Sequence, residues 1–407
     1  GLMNPHRMTF GFAYSLPFAQ MAVIVTVLAA FAHRNEVRWP RGAPIALLLA
    51  FIVWMGLTTF VAIVPEPSMN KYIDVLKVLG MTLVVATLIR TREEIMGLVW
   101  VIVLSMGYFG TKGGLFTIST GGGFRVWGPP NSLVEGNNEL AVALIMTIPL
   151  IYFLATNAGV ARDFRPVLRL SDRVIRLGCY LGVVLCAASA LGSQSRGALL
   201  AIAAMVTMLW WRSKAKLGVG VALLLAILVA IPMLPDTWFE RMETIQSYDE
   251  DLSAQGRINA WETAINIAKD RVTGAGFATA NGAVFGRYSP RRGQEWIYVA
   301  HSIYFQVLGD HGWVGLGLYL TFWLTTYLGA GRIAKLARPY ADLAWAVALM
   351  NMCKVSMVGF AVGGAFLSLA YWDMPYYLMV IVVATGMLVR ARRGQNAAQL
   401  TPGGAAA

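Results

Sequence analysis

Charge is scarce in this chain, and negative charge is scarcest. Of 407 residues 13% are charged, 21 acidic against 33 basic, for a formal net charge of +12. With 57% hydrophobic residues and a mean hydropathy of +0.60, such a chain does not make a water-soluble domain; it reads as a polytopic membrane protein. Cysteine is nearly absent. Cys179, Cys186 and Cys353 each lie inside an apolar run, where they act as small buried hydrophobes, which excludes a disulfide framework and paired metal-ligand spacing. No signal peptide is evident. The sequence starts at Gly1 in a polar stretch, Asn4 to Arg7, and a further span ahead of it is expected. The positive balance does not point to nucleic acid, because most basic residues sit in short connections between apolar runs, where they encode membrane orientation.

A hydrocarbon core of ~30 Å takes about 20 helical residues. Runs of that length, or nearly so, cover 10–32, 43–64, 72–89, 95–110, 139–155, 177–192, 197–211, 217–234, 303–330, 343–369 and 375–389, which predicts an all-α protein with eleven spans. Alternate connections separate by charge. One set carries Arg34, Arg38 and Arg41; Arg90 and Arg92; the arginines from Arg162 to Arg176; Arg212, Lys214 and Lys216; Arg332, Lys335 and Arg338; and Arg390, Arg392 and Arg393. These are predicted cytoplasmic. The opposite set holds residues 65–70, the Gly-rich loop Thr111 to Asn138, the turn Gly192 to Arg196, the large polar segment 235–300 and residues 371–374, so chemistry is expected to face outward. Three parts follow: N-terminal membrane helices over 1–176, a core over 177–330 that includes the loop 235–300, and C-terminal helices with a cytoplasmic tail over 331–407.

The polar segment is too long for a simple connection, and loops of that size usually carry function. It collects Arg241, Arg257, Arg271, Arg287, Arg291 and Arg292 with Lys269, and it ends at His301. Within it Ile258, Trp261, Ile265 and Ala268 predict one apolar helical face, ended by Gly274 and Gly276. Arg257 then falls at the N-terminal end of that helix, where guanidinium and free amides make an anion site; a solvated loop arginine is the plainer alternative. Arg196 poses a similar choice between a snorkelling anchor and a ligand site. The small residues around it, Gln194 and Ser195 included, let a ligand approach the backbone, and the helix after it aims its N-terminal amides at the same place. His301 is expected above the lipid on a helical extension over 301–308, with Gly309 to Trp313 at headgroup level, in a setting that suits a titratable base.

Other polar groups have plainer accounts. Asp249, Glu250 and Asp251 read as solvated carboxylates rather than a cation site. Asp74 and Lys77 read as an intrahelical pair, with Lys77 retained as a possible substrate contact beside Arg287. Lys354, one turn after Asn351, is an intramembrane lysine and so a functional candidate. Gly121 to Trp127 lacks the strand-to-helix context of a nucleotide loop and reads as a mobile outer loop in which Arg125 can add to a basic funnel.

An arginine-rich outward site with one histidine suits a diphosphate, whose oxygens accept bidentate guanidinium bonds and which is the leaving group of lipid-linked sugars. Arg196 and Arg257 would stabilise that leaving group and a neutral His301 would take the proton of an attacking hydroxyl. The competing class is an anionic-solute transporter or flippase, which predicts repeated halves and broken helices at the midplane. No internal repeat is visible, and the polar residues gather at one face.

The block Gly192, Ser193, Gln194, Ser195, Arg196, Gly197, Ala198, Leu199, Leu200, and the later His301, Ser302, Ile303, Tyr304 with Gly309, Asp310, His311, Gly312, Trp313, Val314, Gly315, resemble the two ends of the O-antigen ligase and polymerase superfamily domain, over about 190–320. Asn4 to Arg7, Phe12 to Gln20 and Asn137 to Ala141 are similar to a branch of probable O-glycosylation ligases beside exosortase systems. The resemblance implies a twelve-span, GT-C-like glycosyltransferase of the bacterial inner membrane. Its active site would face the periplasm and use undecaprenyl-diphosphate-linked glycans with no cofactor and no metal. It maps the arginine of the Ser-Arg-Gly turn to Arg196, the loop arginine to Arg257, beside Arg241, Arg271 and Arg287 in the same loop, and the catalytic histidine to His301. Lipid A-core sugar leads as acceptor; a growing glycan, as in an O-antigen polymerase, and a protein hydroxyl, as in a protein O-oligosaccharyltransferase, also fit.

Overall fold

A computed structural model describes residues 18–32, 39–164, 169–213, 252–291 and 296–399 nearly without interruption, with a few isolated positions besides. Every element in them is helical: α1 (Phe18–Ala32), α2 (Ala43–Phe60), α3 (Pro65–Leu88), α4 (Arg92–Ser119), α5 (Asn137–Thr156), a single turn α6 (Ala158–Ala161), α7 (Asp172–Gly192), α8 (Arg196–Arg212), α9 (Leu252–Asp270), α10 (Gly282–Tyr288), α11 (Ile303–Ala337), α12 (Ala344–Gly363) and α13 (Asp373–Gln399). Six helices among the described residues, α2, α4, α5, α7, the α12 region and α13, are long and apolar enough to cross a membrane. The protein is therefore a multi-pass helical membrane protein. The expected spans at 10–32, 72–89, 197–211 and 303–330 fall short of that standard. Helix α1 has 15 residues, Glu66, Lys71, Asp74 and Lys77 charge the first half of α3, α8 has 17 residues, and α11, kinked at Gly312, is lowered in mean hydropathy by its Gly, Thr, Tyr and Trp residues. The expected span at 217–234, Arg241 and the acidic trio Asp249 to Asp251 lie outside the described residues.

Helix α5 is the centre of the bundle, with Leu140 to Ala155 buried almost throughout, and it packs on α7, α12, α4 and α8. Lipid is as apolar as leucine, so close packing rather than exclusion of water holds such helices together. The α4–α7 contact illustrates this. Gly110, Gly113 and Gly114 lie so close to Cys186, Ser189 and the Leu185 backbone that a methyl group at any of them would collide. Buried hydroxyls add bonds between helices, as where Ser356 Oγ donates to the Met146 carbonyl at 2.7 Å.

The two ends of the bundle differ. At one end lie the basic connections, partly neutralised by Arg92–Asp163, Arg162–Asp172 and Arg392–Asp342 pairs at 2.6–2.9 Å. At the other, the turn between α7 and α8, the start of α5, the segment between α12 and α13, the start of α11 and the α9–α10 unit converge. The α9–α10 unit docks through backbone. Ala275 N–H donates to the Gly309 carbonyl and Gly276 N–H to that of Asp310, at 2.9 and 3.0 Å; these carbonyls are available because the helix breaks at Gly312, φ 67°. The expected continuous rod from 301 to 332 is thus two helices meeting at a kink. Residues 309–310 are the seat of the loop.

Helix α9 exists where the apolar periodicity placed one, but with another face inward. Ala260, Ala264, Ile267 and Ala268 are buried while Ile258 is exposed. The reason is close approach: Gly309 of α11 and Ala264 leave no room for large side chains, so small residues form the contact. Trp261 remains at the edge, stacked on Phe305 with ring centroids 4.9 Å apart and donating to the Ala300 carbonyl at 2.6 Å.

Candidate functional site

The Ser-Arg-Gly turn is built by its own sequence. Gln194 takes a left-handed backbone, φ 54°, which lets the chain reverse between α7 and α8. Ser195 then caps α8, its Oγ accepting from Ala198 N–H at 3.2 Å. Three bonds from outside hold the turn: Asn137 Nδ2 donates to the Ser193 carbonyl at 2.8 Å, Gln194 Nε2 to that of Gly122 at 3.0 Å, and Val126 N–H to that of Gly192 at 3.0 Å. The last two correct the reading of Gly121 to Trp127 as a mobile loop, since its backbone is docked on the turn. Gln194 and Ser195, buried and committed to these bonds, are scaffold first.

Arg196 begins α8, and with Ser195, Gly197 and Ala198 it lines a cavity of about 270 Å³. Arg257, Asn138 and the Phe366–Leu367 segment after α12 complete the wall. The first turn of α8 presents the positive end of its dipole to this space. Arg257 is in the second turn of α9 rather than at its N-terminal end, so the guanidinium itself, not free helix amides, is what α9 contributes. It interacts electrostatically with Glu139 in the first turn of α5 and with His301.

His301 precedes α11 instead of extending it. Its backbone is left-handed, φ 42°, and its N–H donates to Ser368 Oγ at 2.9 Å, which fixes it beside the segment that walls the cavity. Burial, and after it the Arg257 charge, depress its pKa to about 4. The imidazole is therefore neutral at physiological pH and has a lone pair to accept a proton.

The remaining expected residues are elsewhere. Arg287 pairs with Asp270 at 3.2 Å on the exposed side of α10. Arg271 donates to the Val61 and Gly274 carbonyls and so ties the loop to α2, and Arg291 bonds Gln255 and lies over Trp296 at 4.5 Å. Among the described arginines of the polar segment, Arg257 alone lines the cavity. Arg125 is exposed on the docked loop, outside the cavity wall. Lys77 pairs with Asp74 at 2.9 Å, as its spacing predicts. Lys354 rests over the Tyr327 ring at 4.1 Å, and Asn351 accepts from Arg212. Asn138 and Glu139 are additions from the structure. Their signal in the sequence is an amide and a carboxylate at the start of a long apolar run, which forms the most deeply buried of the six candidate spans, a place where neither belongs without a partner.

Comparisons with known proteins bear on this arrangement. Residues 1–159 match a family of unknown function, DUF5935. A chain in a solved peptidoglycan synthase complex aligns at 17% identity over 88% of this chain and 98% of its own, with a TM-score of 0.40. Comparison with curated proteins gives no match. Residues 181–320 match the family described as O-antigen ligase, a stretch that contains Arg196, Arg257 and His301. That match supports the resemblance to the O-antigen ligase superfamily carried by the blocks around Arg196 and His301.

Proposed function

We propose that the protein transfers a glycan from an undecaprenyl-diphosphate-linked donor to an acceptor hydroxyl, with lipid A-core oligosaccharide as the leading acceptor. The observation that carries this reading is the meeting of Arg196 and Arg257 on one cavity, next to a histidine held neutral. Two guanidinium groups and a helix N-terminus bind the diphosphate and stabilise its charge as it leaves. The acceptor oxygen forms a bond to the anomeric carbon, the bond from that carbon to the phosphate oxygen breaks, and undecaprenyl diphosphate departs with the electron pair. The acceptor proton passes to His301 and then to solvent.

An apolar cavity of about 240 Å³ between α11 and α12, lined by Tyr304, Trp323, Tyr327, Met357 and Phe360, starts three residues from His301 and suits the first isoprene units of the donor. The charge difference between the two ends of the bundle supports a bacterial inner-membrane orientation with the cavity on the periplasmic side. The eleven or twelve spans, the large periplasmic loop, the GT-C-like architecture and the three-part division of the chain belong to this proposal as well. So does the absence of a metal requirement, which comes with the family resemblance.

The direct test is glycan transfer by purified protein with chelator present. Loss of product on Arg196→Ala or Arg257→Ala, with product from wild type, supports the reading. Uptake of a free anionic solute with no transfer product would instead favour the transporter.

A further inference from the structure

Three arginines at the basic end of the bundle have carboxylate partners: Arg92 pairs with Asp163, Arg162 with Asp172 and Arg392 with Asp342. Arg212 and Lys354 are held otherwise. Arg212, the last residue of α8, donates from Nη1 to Asn351 Oδ1, and the Lys354 ammonium lies 4.1 Å from the centre of the Tyr327 ring. An amide and an aromatic ring orient these two cations without cancelling their charge. Among the described residues, no ion pair joins either of them to a carboxylate. Asn351 and Lys354, three residues apart on α12, share one side of that helix, the first meeting α8 and the second α11.

Their depth follows from their neighbours. The Lys354 ammonium lies 3.4 Å from where a Cβ on Gly331 would sit, and Arg332 and Lys335, both exposed, come directly after that glycine on α11. A helical side chain leans toward the N-terminus of its helix. For α12 that is the basic end, so Lys354 reaches back from the apolar region to the level at which α11 leaves it. On α8 the same level is marked by Trp210 and Trp211, just before Arg212, residues that suit the headgroup interface. Arg212, Tyr327, Gly331, Asn351 and Lys354 are all half-buried, open at the flank of the bundle. An uncancelled charge at a membrane edge is costly, and its counter-ion has to come from outside the chain.

We propose that Arg212 and Lys354 form a site for the phosphate of an anionic phospholipid, in the leaflet at the basic end of the bundle. A phosphate diester accepts from a guanidinium and an ammonium together, and the absent side chain of Gly331 leaves room beside the ammonium. Two cations match a lipid of net negative charge better than a zwitterionic one, whose own cationic group they repel. The acyl chains would continue past Leu328 and Leu324 of α11, both exposed. This site is at the opposite end of the bundle from the cavity of Arg196 and Arg257 and does not depend on the glycan-transfer reading.

The test uses the full chain purified in detergent, with dioleoyl phosphatidylglycerol, dioleoyl phosphatidylcholine and inorganic phosphate as probes. Lipid retention is read by native mass spectrometry, and Tm against probe concentration. Lys354→Met and Arg212→Gln each remove one charge at similar side-chain length, while Lys335→Gln removes an exposed charge of the same end outside the site. Wild type is expected to retain phosphatidylglycerol in preference to phosphatidylcholine. Lys354→Met and Arg212→Gln are each expected to weaken that retention about fivefold, the equivalent of ~1 kcal/mol for one basic residue at an anionic membrane surface, and Lys335→Gln to leave it unchanged. Arg212→Gln, at the end of α8, keeps the test decisive if Lys354→Met does not fold. Equal retention of the two lipids by wild type, or equal weakening by all three variants, would overturn the site. A rise in Tm with inorganic phosphate and none with phosphatidylglycerol would replace the lipid with a free anion and overturn the assignment.

Discussion

His301 combines a strained backbone with a depressed pKa. Two causes lower that pKa, burial first and the Arg257 charge second, and only the second changes when substrate arrives. A bound diphosphate brings negative charge beside Arg257, which favours the protonated imidazole and raises its pKa. The acid limb of kcat/KM for the donor, which reports free protein, is expected near pH 4, and the acid limb of kcat, which reports the donor complex, at higher pH. Coincident limbs in the two profiles would contradict this coupling. Arg257→Ala removes one depressing cause, so the free-protein limb moves up, toward but short of the ordinary 6.5, because burial remains. His301→Ala is expected to lower kcat by ~10²- to 10⁴-fold, the usual contribution of a general base, with donor affinity retained by Arg196 and Arg257.

Helices here owe their positions to glycines whose environments differ sharply, and that difference is testable. Gly312 has φ 67°, and an added methyl would meet the Val272 carbonyl and the Gly274 nitrogen. Gly312→Ala is expected to cost ~1–3 kcal/mol and to loosen the α9–α10 unit from its seat, read as a lower Tm in detergent and faster proteolysis after α9. Gly107 of α4 has open space around its missing Cβ, and Gly107→Ala is expected to leave Tm unchanged or raise it, since alanine suits a helix interior by ~0.5–1 kcal/mol. Equal effects from the two substitutions would contradict the structural account of the kink. Gly197 is a third kind of case. Its Cβ position lies 3.2 Å from Phe366, so Gly197→Leu displaces a cavity wall and is expected to raise the donor KM more than it lowers Tm.

Element by element, the sequence was readable to different depths. Apolar length found the helices, and the Ser-Arg-Gly turn was legible because a serine cap and small residues before an apolar run have one local meaning. The inward face of α9 was not, because periodicity weights large apolar side chains, while a helix packed at glycine distance buries Ala260 and Ala264. Nor was the break in α11. Gly309 and Gly312 sit in a run apolar enough to read as one span, and the carbonyls released there are claimed by Ala275 and Gly276, partners more than thirty residues earlier. The choice of Arg257 over Arg271, Arg287 and Arg291 required knowing which of them lines the cavity.

At the scale of the whole molecule, charge and geometry give the same polarity: basic connections at one end, the cavities and the α9–α10 unit at the other. Single cysteines at exposed sites test the orientation, since the native thiols are all buried and give little background. Arg125→Cys is expected to react with an impermeant maleimide from the periplasmic side of intact cells, and Lys335→Cys only after the membrane is opened. Reaction of Lys335→Cys in intact cells would invert the topology and move the proposed site to the cytoplasm.

The most direct measurement is transfer of glycan from purified polyprenyl-diphosphate donor to lipid A-core acceptor in detergent with chelator, comparing wild type with Arg196→Ala, Arg257→Ala and His301→Ala. The account predicts product from wild type despite the chelator. It predicts losses of about tenfold to a hundredfold for each arginine variant, the worth of a charged hydrogen bond, and the largest loss of kcat for His301→Ala. Product formed by His301→Ala at the wild-type rate would contradict it.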